Sequence, residues 1–412
     1  MKVVFLNPTG ITGGAEAVLL DSMFSLRTNF PEVSLELVLG SDGPLRLKAA
    51  ELGVRTHVVP LPSSIAKLGD SGVGARSSRL ALPGKLAITI PGAALYVRKL
   101  RSLLKSSRPD VLHSNGFKMH ILAGLARPQS SALVWHIHDY VSSRMVMRAL
   151  MRRYAPGCDA AIANSDSVAS DIRAVLGGSI PVHTVLNGID LQRFSPQGPH
   201  LDLDRLSGLP PALAGTVRVG LVGTLAWWKG HRVFLDALAK LTSTTPMRGY
   251  VIGGPIYRTV GSQDTLNELA SYAKNLDLEG KVGFTGFLED VPAGLRSLDI
   301  VVHASTQPEP FGLVIVEGMA VGKAVISSNT GGAAELVQDG IDALTHLSGD
   351  SEDLALRISQ LISDAPLRAT LGANGRKAAE SRFDRRNLAQ RLLPIYQHAV
   401  SSRSAHTARQ QR

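Results

Sequence analysis

The chain has 412 residues, too many for one ordinary domain and suited to two. Its single cysteine, Cys158, excludes an internal disulfide framework and a cysteine-built metal cluster, and fits a reducing compartment. The formal charge of +10 is uneven: between Arg46 and Arg153 stand 18 Lys or Arg and four acids (Glu51, Asp70, Asp110, Asp139), a local balance of +14 against about −4 elsewhere.

From the first residue, KVVFLNPTG has only a short apolar run before Asn7 and Pro8, which reads as a first sheet strand rather than a signal peptide, so the expected location is the cytoplasm. A glycine pair, Gly13 and Gly14, follows that strand and precedes a helix beginning near Ala15. The pair lets backbone approach a substrate closely and presents a helix N-terminus to phosphate, although a Gly pair alone is more often just a turn. Further strands are expected at 35–39, 111–113, 133–137, 160–163 and 182–186. Residues 62–104 place Lys67, Arg76, Arg79, Lys85, Arg98, Lys99 and Arg101 among small and apolar residues, which predicts a mobile basic loop and then an amphipathic helix from about Ala94. The longest uncharged apolar stretch, 86–97, holds Pro91 and Gly92 and is too short to span a bilayer. The basic segment suits an anionic partner: a phospholipid surface, a lipid-linked phosphate or an acidic glycan, with nucleic acid as the generic alternative and a plain solvated face as the simplest.

Residues 196–215, interrupted by Pro196, Pro199, Pro210 and Pro211, read as an interdomain linker. Beyond it, strands are expected at 217–222, 249–252, 281–284, 300–303 and 324–327, again alternating with helical patterns. The layout is therefore α/β, with two doubly wound Rossmann-like domains facing each other across a cleft: a first domain at 1–195, the linker, a second at 216–385, and a C-terminal helix with a polar tail at 386–412. Ligands of such sheets sit beyond the carboxyl ends of the strands.

The most informative stretch is 307–320, QPEPFGLVIVEGMA. Pro310 and Gly312 end a strand-like approach, so a helix starts at Leu313 with unpaired N–H groups and a positive dipole end, which suits a diphosphate. Glu309 lies beside that guest, and Glu317, about one turn into the helix, can accept hydrogen bonds from ribose hydroxyls. Asp202 and Asp204 form an Asp-x-Asp pair, but in a proline-rich linker they read as solvated, and no essential metal is expected.

With these residues placed, the chain resembles the retaining GT-B glycosyltransferases of the GT4 family (glycosyl transferases group 1) over most of its length. The Glu-x7-Glu signature matches Glu309 and Glu317, the first glycine loop matches residues 12–16, and the His-Asp strand end matches His138 and Asp139. Asn164-Ser165, Asn187-Gly188-Ile189-Asp190 with Phe194, Lys229-Gly230, Gly253-Gly254-Pro255 and Thr330-Gly331-Gly332 with Glu335 agree as well.

The resemblance implies an enzyme moving a sugar from a nucleoside-diphosphate sugar to a glycan or lipid-linked acceptor, in polysaccharide or glycolipid assembly. It assigns catalysis to His138, Glu309 and Lys229, and donor binding to Gly13, Gly14, Gly223, Thr224, Lys229, Gly253, Glu309, Phe311, Gly312, Leu313 and Glu317. Lys229 would compensate the diphosphate, work that a metal performs in other nucleotide-sugar enzymes. Transfer would be front-face, the departing phosphate accepting the acceptor's proton. No cofactor, metal or nucleic acid is expected; peripheral attachment to the inner face of a membrane is. The family's usual arginine near Gly223 is replaced by Thr224, and Arg232 or Arg258 is expected to substitute for it. Another GT-B enzyme (an epimerase or phosphorylase) and a non-catalytic carbohydrate-binding protein are the competing readings. A dehydrogenase is disfavoured because no G-x-G-x-x-G follows a strand.

Overall fold

A computed structural model describes residues 1–66, 82–241, 246–254 and 263–410. The chain forms two compact units, Met1–Gly188 with Arg385–Arg412, and Ile189–Asp384.

The first unit holds seven strands: β1 (Lys2–Asn7), β2 (Ser34–Leu39), β3 (Arg55–Val58), β4 (Val111–Asn115), β5 (Ala132–Ile137), β6 (Ala160–Ala163) and β7 (Val182–Thr184). They form one parallel sheet in the order β3-β2-β1-β4-β5-β6-β7. Covered on both faces, central strands such as β1 and β5 are apolar almost throughout and almost wholly buried. Alternation along β1 sends Val4 and Leu6 to one core and Val3 and Phe5 to the other.

The second unit has β8 (Val217–Val222), β9 (Met247–Ile252), β10 (Val282–Gly286), β11 (Ile300–His303), β12 (Ala324–Ser328) and β13 (Leu344–His346), in the parallel order β10-β9-β8-β11-β12-β13. In each sheet the strand order reverses once, between β1 and β4 and between β8 and β11. These are the two crevices where such sheets bind ligands.

The units depart from the boundaries drawn from the sequence. The C-terminal helix, Leu388–Gln410, belongs to the first unit because Leu388, Leu392, Tyr396 and Ala399 recur on one helical face and complete a core of the first sheet. The proline-rich segment 196–215 is built into the second unit. Asp202 caps the short helix Leu203–Leu206 by accepting from Arg205 N–H at 3.0 Å.

Asp204, expected in solvent, is instead 4% exposed and accepts from Tyr250 Oη at 2.6 Å, Arg248 Nη1 at 2.7 Å and Ala212 N–H at 3.0 Å. A buried carboxylate persists only when so paired. The amphipathic helix expected from Ala94 runs Leu82–Ser107, with Pro91 inside it. The expected basic loop falls partly on residues 67–81, outside the described residues.

Candidate functional site

At the β8/β11 reversal the loop after β8 makes a turn at Trp227–Lys229, and Gly230 then adopts φ 74°. A Cβ on Gly230 would stand 1.9 Å from the Ala304 carbonyl oxygen, so only glycine lets this loop lie against the segment after β11. Thr306 N–H donates to the Trp228 carbonyl at 2.7 Å and fixes the approach. Lys229 Nζ is thereby aimed at Glu309, 2.8 Å from Oε1 and 2.7 Å from Oε2.

Glu309 is held from several sides. Ser305 Oγ donates to its Oε2 at 2.8 Å, His303 Nε2 lies 3.6 Å away, and its carbonyl accepts from Gly332 N–H at 2.7 Å. Its side chain is only 13% exposed. Burial pushes its pKa upward, yet the Lys229 ammonium, with the His303 ring close by, outweighs this and holds it well below the usual carboxylate range.

Gly312, at φ 99°, then starts the helix Leu313–Ala320 without a side-chain cap. Leu313 is half-buried, and Phe311 is buried edge-on to Phe383. Glu317 rides on this helix. Its carboxyl has no hydrogen-bond partner among the described residues, and burial raises its pKa to about 7 against the opposing pull of Arg193. Two carboxylates eight positions apart in sequence thus have opposite electrostatic fates.

Gly253, after β9, packs its α-carbon so closely on the loop after β8 that a Cβ would lie 1.8 Å from the Gly223 carbonyl oxygen; a Cβ on Gly223 itself would meet nothing within 4 Å among the described residues. Thr224 follows in the same half-buried loop. Arg232, expected to replace the missing arginine, is engaged elsewhere: its Nη2 donates to Asp264 Oδ1 at 2.7 Å and its guanidinium lies over the Tyr272 ring at 4.8 Å. Arg258 lies outside the described residues.

In the first unit the β1/β4 reversal carries its own polar group. Gly14 opens the helix Gly14–Asn29, and Gly13 N–H donates to Glu16 Oε2 at 3.1 Å, so the helix supplies an anion to its own N-terminus. His138, just past β5, lies 2.6 Å through Nε2 from Asn115 Oδ1, and Asn115 Nδ2 donates to Asn7 Oδ1 at 2.7 Å. Burial lowers the His138 pKa to about 4, so the ring is neutral. The His136 ring lies tilted beside it, centroids 4.1 Å apart, and bonds to His113, which bonds to Tyr396 Oη. Asp139 pairs with Arg144 Nη2 at 2.6 Å.

Sequence reasoning did not single out Asn115, His303 or Ser305 as supports. Their signal was a polar residue at or just past the carboxyl end of an apolar strand.

The family model described as "Glycosyl transferases group 1" matches residues 215–378, and that described as "Glycosyltransferase Family 4" matches residues 45–193. Spore coat protein SA of Bacillus subtilis is 31% identical over 226 residues, 52% of this chain and 58% of that protein. The lipopolysaccharide core biosynthesis mannosyltransferase LpsB of Rhizobium meliloti is 28% identical over 243 residues, 58% of this chain and 65% of its own length. The chain thus spans less than two thirds of these two relatives. The crystal structure of Anabaena HepE in complex with UDP-glucose superposes with a TM-score of 0.74 at 27% identity, covering 98% of this chain and 100% of that one.

Proposed function

The chain belongs to the group 1 glycosyltransferases, the GT4 type, and we propose that it transfers a sugar from a nucleoside-diphosphate sugar to a glycan or lipid-linked acceptor with retention of anomeric configuration, in the assembly of cell-surface polysaccharide or glycolipid. The carrying observation is the Lys229–Glu309 pair ahead of an uncapped helix start, with Glu317, whose carboxyl has no hydrogen-bond partner among the described residues, on that same helix. In this reading the diphosphate takes the Lys229 ammonium and the N–H groups after Gly312, which together stabilise the charge that develops on the leaving group. Glu309 binds sugar hydroxyls and steadies the positive charge on the sugar carbon. Glu317 accepts from the ribose.

No second carboxylate is assigned as a covalent nucleophile; the leaving phosphate accepts the acceptor's proton on the face from which it departs. His138 hydrogen-bonds a substrate hydroxyl.

For the acceptor, the reading rests on the helix Leu82–Ser107. It buries Tyr96, Leu100 and Leu104 while exposing Ile90 (64%), Leu95 (56%) and the cations Arg98, Lys99, Arg101 and Lys105. No helix among the described residues is long and apolar enough to cross a membrane. Peripheral attachment to anionic lipid fits this pattern and suits a membrane-bound acceptor.

UDP-glucose, the ligand of the HepE crystal, is the first donor to try. The test is a thermal-shift and donor-hydrolysis screen over nucleotide sugars, since a ligand of the native state raises its melting temperature. One donor that both stabilises the protein and is slowly hydrolysed supports the reading; silence across all donors rejects it. Cosedimentation with phosphatidylglycerol vesicles, absent with phosphatidylcholine, tests the membrane part.

A further inference from the structure

A chain of side-chain amides runs from β1 to His138, and its polarity is set at one end by groups that only accept. Asn7 Nδ2 donates to the Thr9 carbonyl oxygen at 2.7 Å and faces Glu16 Oε1 at 3.4 Å. Neither oxygen has a proton to give, so the nitrogen of the Asn7 amide must point there and its Oδ1 must point the other way. That Oδ1 accepts from Asn115 Nδ2 at 2.7 Å, which in turn presents Asn115 Oδ1 to His138 Nε2 at 2.6 Å. An amide oxygen cannot donate. The proton of that last bond therefore belongs to the imidazole.

We infer that Asn7 and Asn115 are positioning residues that hold His138 in its Nε2–H tautomer, so that the bare Nδ1 lone pair is what His138 offers to a substrate hydroxyl. The inference rests on the reading of His138 as a substrate contact and adds its direction: His138 accepts, the sugar donates. Nδ1 has no partner among the described residues, and the burial that keeps the ring neutral leaves that nitrogen unprotonated. The neighbouring histidines do not compete. His136 turns its Nδ1 to His113 Nε2 at 3.1 Å, and the link continues to Tyr396 Oη at 2.7 Å. Topology explains why these residues meet. Asn7 and Asn115 end the two strands between which the sheet order reverses, and His138 follows the next strand over.

The direction matters for specificity. An accepting nitrogen favours a hydroxyl and discriminates against a deoxy position or an ether oxygen there. A donating one would tolerate the ether.

The test is long-range proton–nitrogen NMR on protein carrying isotope-labelled histidine, with the His138 signals identified by their loss in His138→Gln. The expected result is a protonated Nε2 and an unprotonated Nδ1 in the wild-type protein. Asn115→Leu and Asn7→Leu, each checked for an intact melting transition, should release the ring to a mixture of tautomers, and donor turnover should fall by roughly tenfold, the scale of one lost hydrogen bond. A wild-type His138 protonated at Nδ1 overturns the inference, as does an unchanged tautomer in a folded Asn115→Leu protein. If Asn115→Leu does not fold, the wild-type spectrum alone decides. Should no donor be turned over, the enzymatic reading fails while the tautomer remains measurable, so the two failures are distinguishable.

Discussion

Lys229 and Glu309, 80 positions apart in the chain, hold each other through both carboxylate oxygens at 2.8 and 2.7 Å. The pair is partly buried, so neither charge is free to leave without cost. A diphosphate that drew on Lys229 would share the ammonium with Glu309, and the carboxylate would then be turned toward the sugar. Lys229→Ala and Glu309→Ala are each expected to lower turnover by roughly a hundredfold or more, the scale for removing a preorganised electrostatic group. Steady-state kinetics on the donor identified by screening measures this. Wild-type rates in both variants would remove the site assignment.

Glu317 predicts a pH dependence of the opposite sign to Glu309. Its folded pKa is raised to about 7, so the folded protein binds a proton that the unfolded chain has already released, and stability falls as pH rises from about 4.5 to about 7. Glu317→Gln should flatten that slope and stabilise the protein at neutral pH, by at most about 3 kcal/mol. Donor affinity should move the other way. Ribose hydroxyls donate best to the ionised carboxylate, so wild-type donor affinity should improve as pH passes through 7, and Glu317→Gln should lose both the affinity and its pH dependence. Calorimetric titration of the donor across that range checks it; a flat wild-type profile would count against Glu317 as the ribose acceptor.

Much of this arrangement was readable in the sequence, and the exceptions have physical causes. Strands β1, β5, β8, β11 and β12 are buried on both faces and announce themselves as apolar runs. β3, at the sheet edge, reads Arg-Thr-His-Val and is only half-buried, while β13 has three residues; neither gives a run long enough to notice. Glu309, Gly312 and Lys229 were visible because turn and helix-start chemistry is local. The surroundings of Arg232 were not: spacing put it one turn beyond Lys229, but nothing local shows that Asp264, 32 positions on, takes its guanidinium. Nor does spacing reveal that Asp204 is buried, since its partners Arg248 and Tyr250 lie on β9.

The ion pair with Asp264 makes Arg232 a discriminating variant. With its guanidinium bonded to Asp264 and stacked on Tyr272, Arg232→Ala should leave the donor KM within about twofold of wild type and cost stability of about 1 kcal/mol or less, as for an exposed ion pair. A large rise in donor KM with an unchanged melting temperature would restore Arg232 to the phosphate.

Two glycines in the same loop should separate folding from binding. Gly230→Ala places a methyl 1.9 Å from the Ala304 carbonyl oxygen at φ 74°, and the loop must shift or strain, at a cost of about 1–3 kcal/mol for the backbone alone. Its melting temperature should drop, and turnover with it, because Lys229 is the preceding residue. Gly223→Ala adds a methyl that meets nothing within 4 Å among the described residues, so its melting temperature should stay near wild type while donor KM rises. Equal melting temperatures for the two variants would contradict the close approach at Gly230.

Asp204 separates a metal site from a structural anchor. Burial alone would raise its pKa, but the hydrogen bonds from Tyr250 and Arg248 prevail and hold it well below the usual range. A carboxylate with a depressed folded pKa stabilises the protein above its unfolded value near 3.8, and that contribution disappears as pH falls through the folded value. Asp204→Asn should therefore destabilise at neutral pH, by about 3 kcal/mol or more since it leaves Arg248 without its buried partner, and the difference from wild type should shrink in acid. Activity of the wild-type enzyme should be indifferent to EDTA, since Asp204 is spoken for and Asp202 caps a helix. Loss of activity in EDTA with recovery on adding manganese would show that a divalent cation takes part after all, and would reopen the search for its ligands away from this pair.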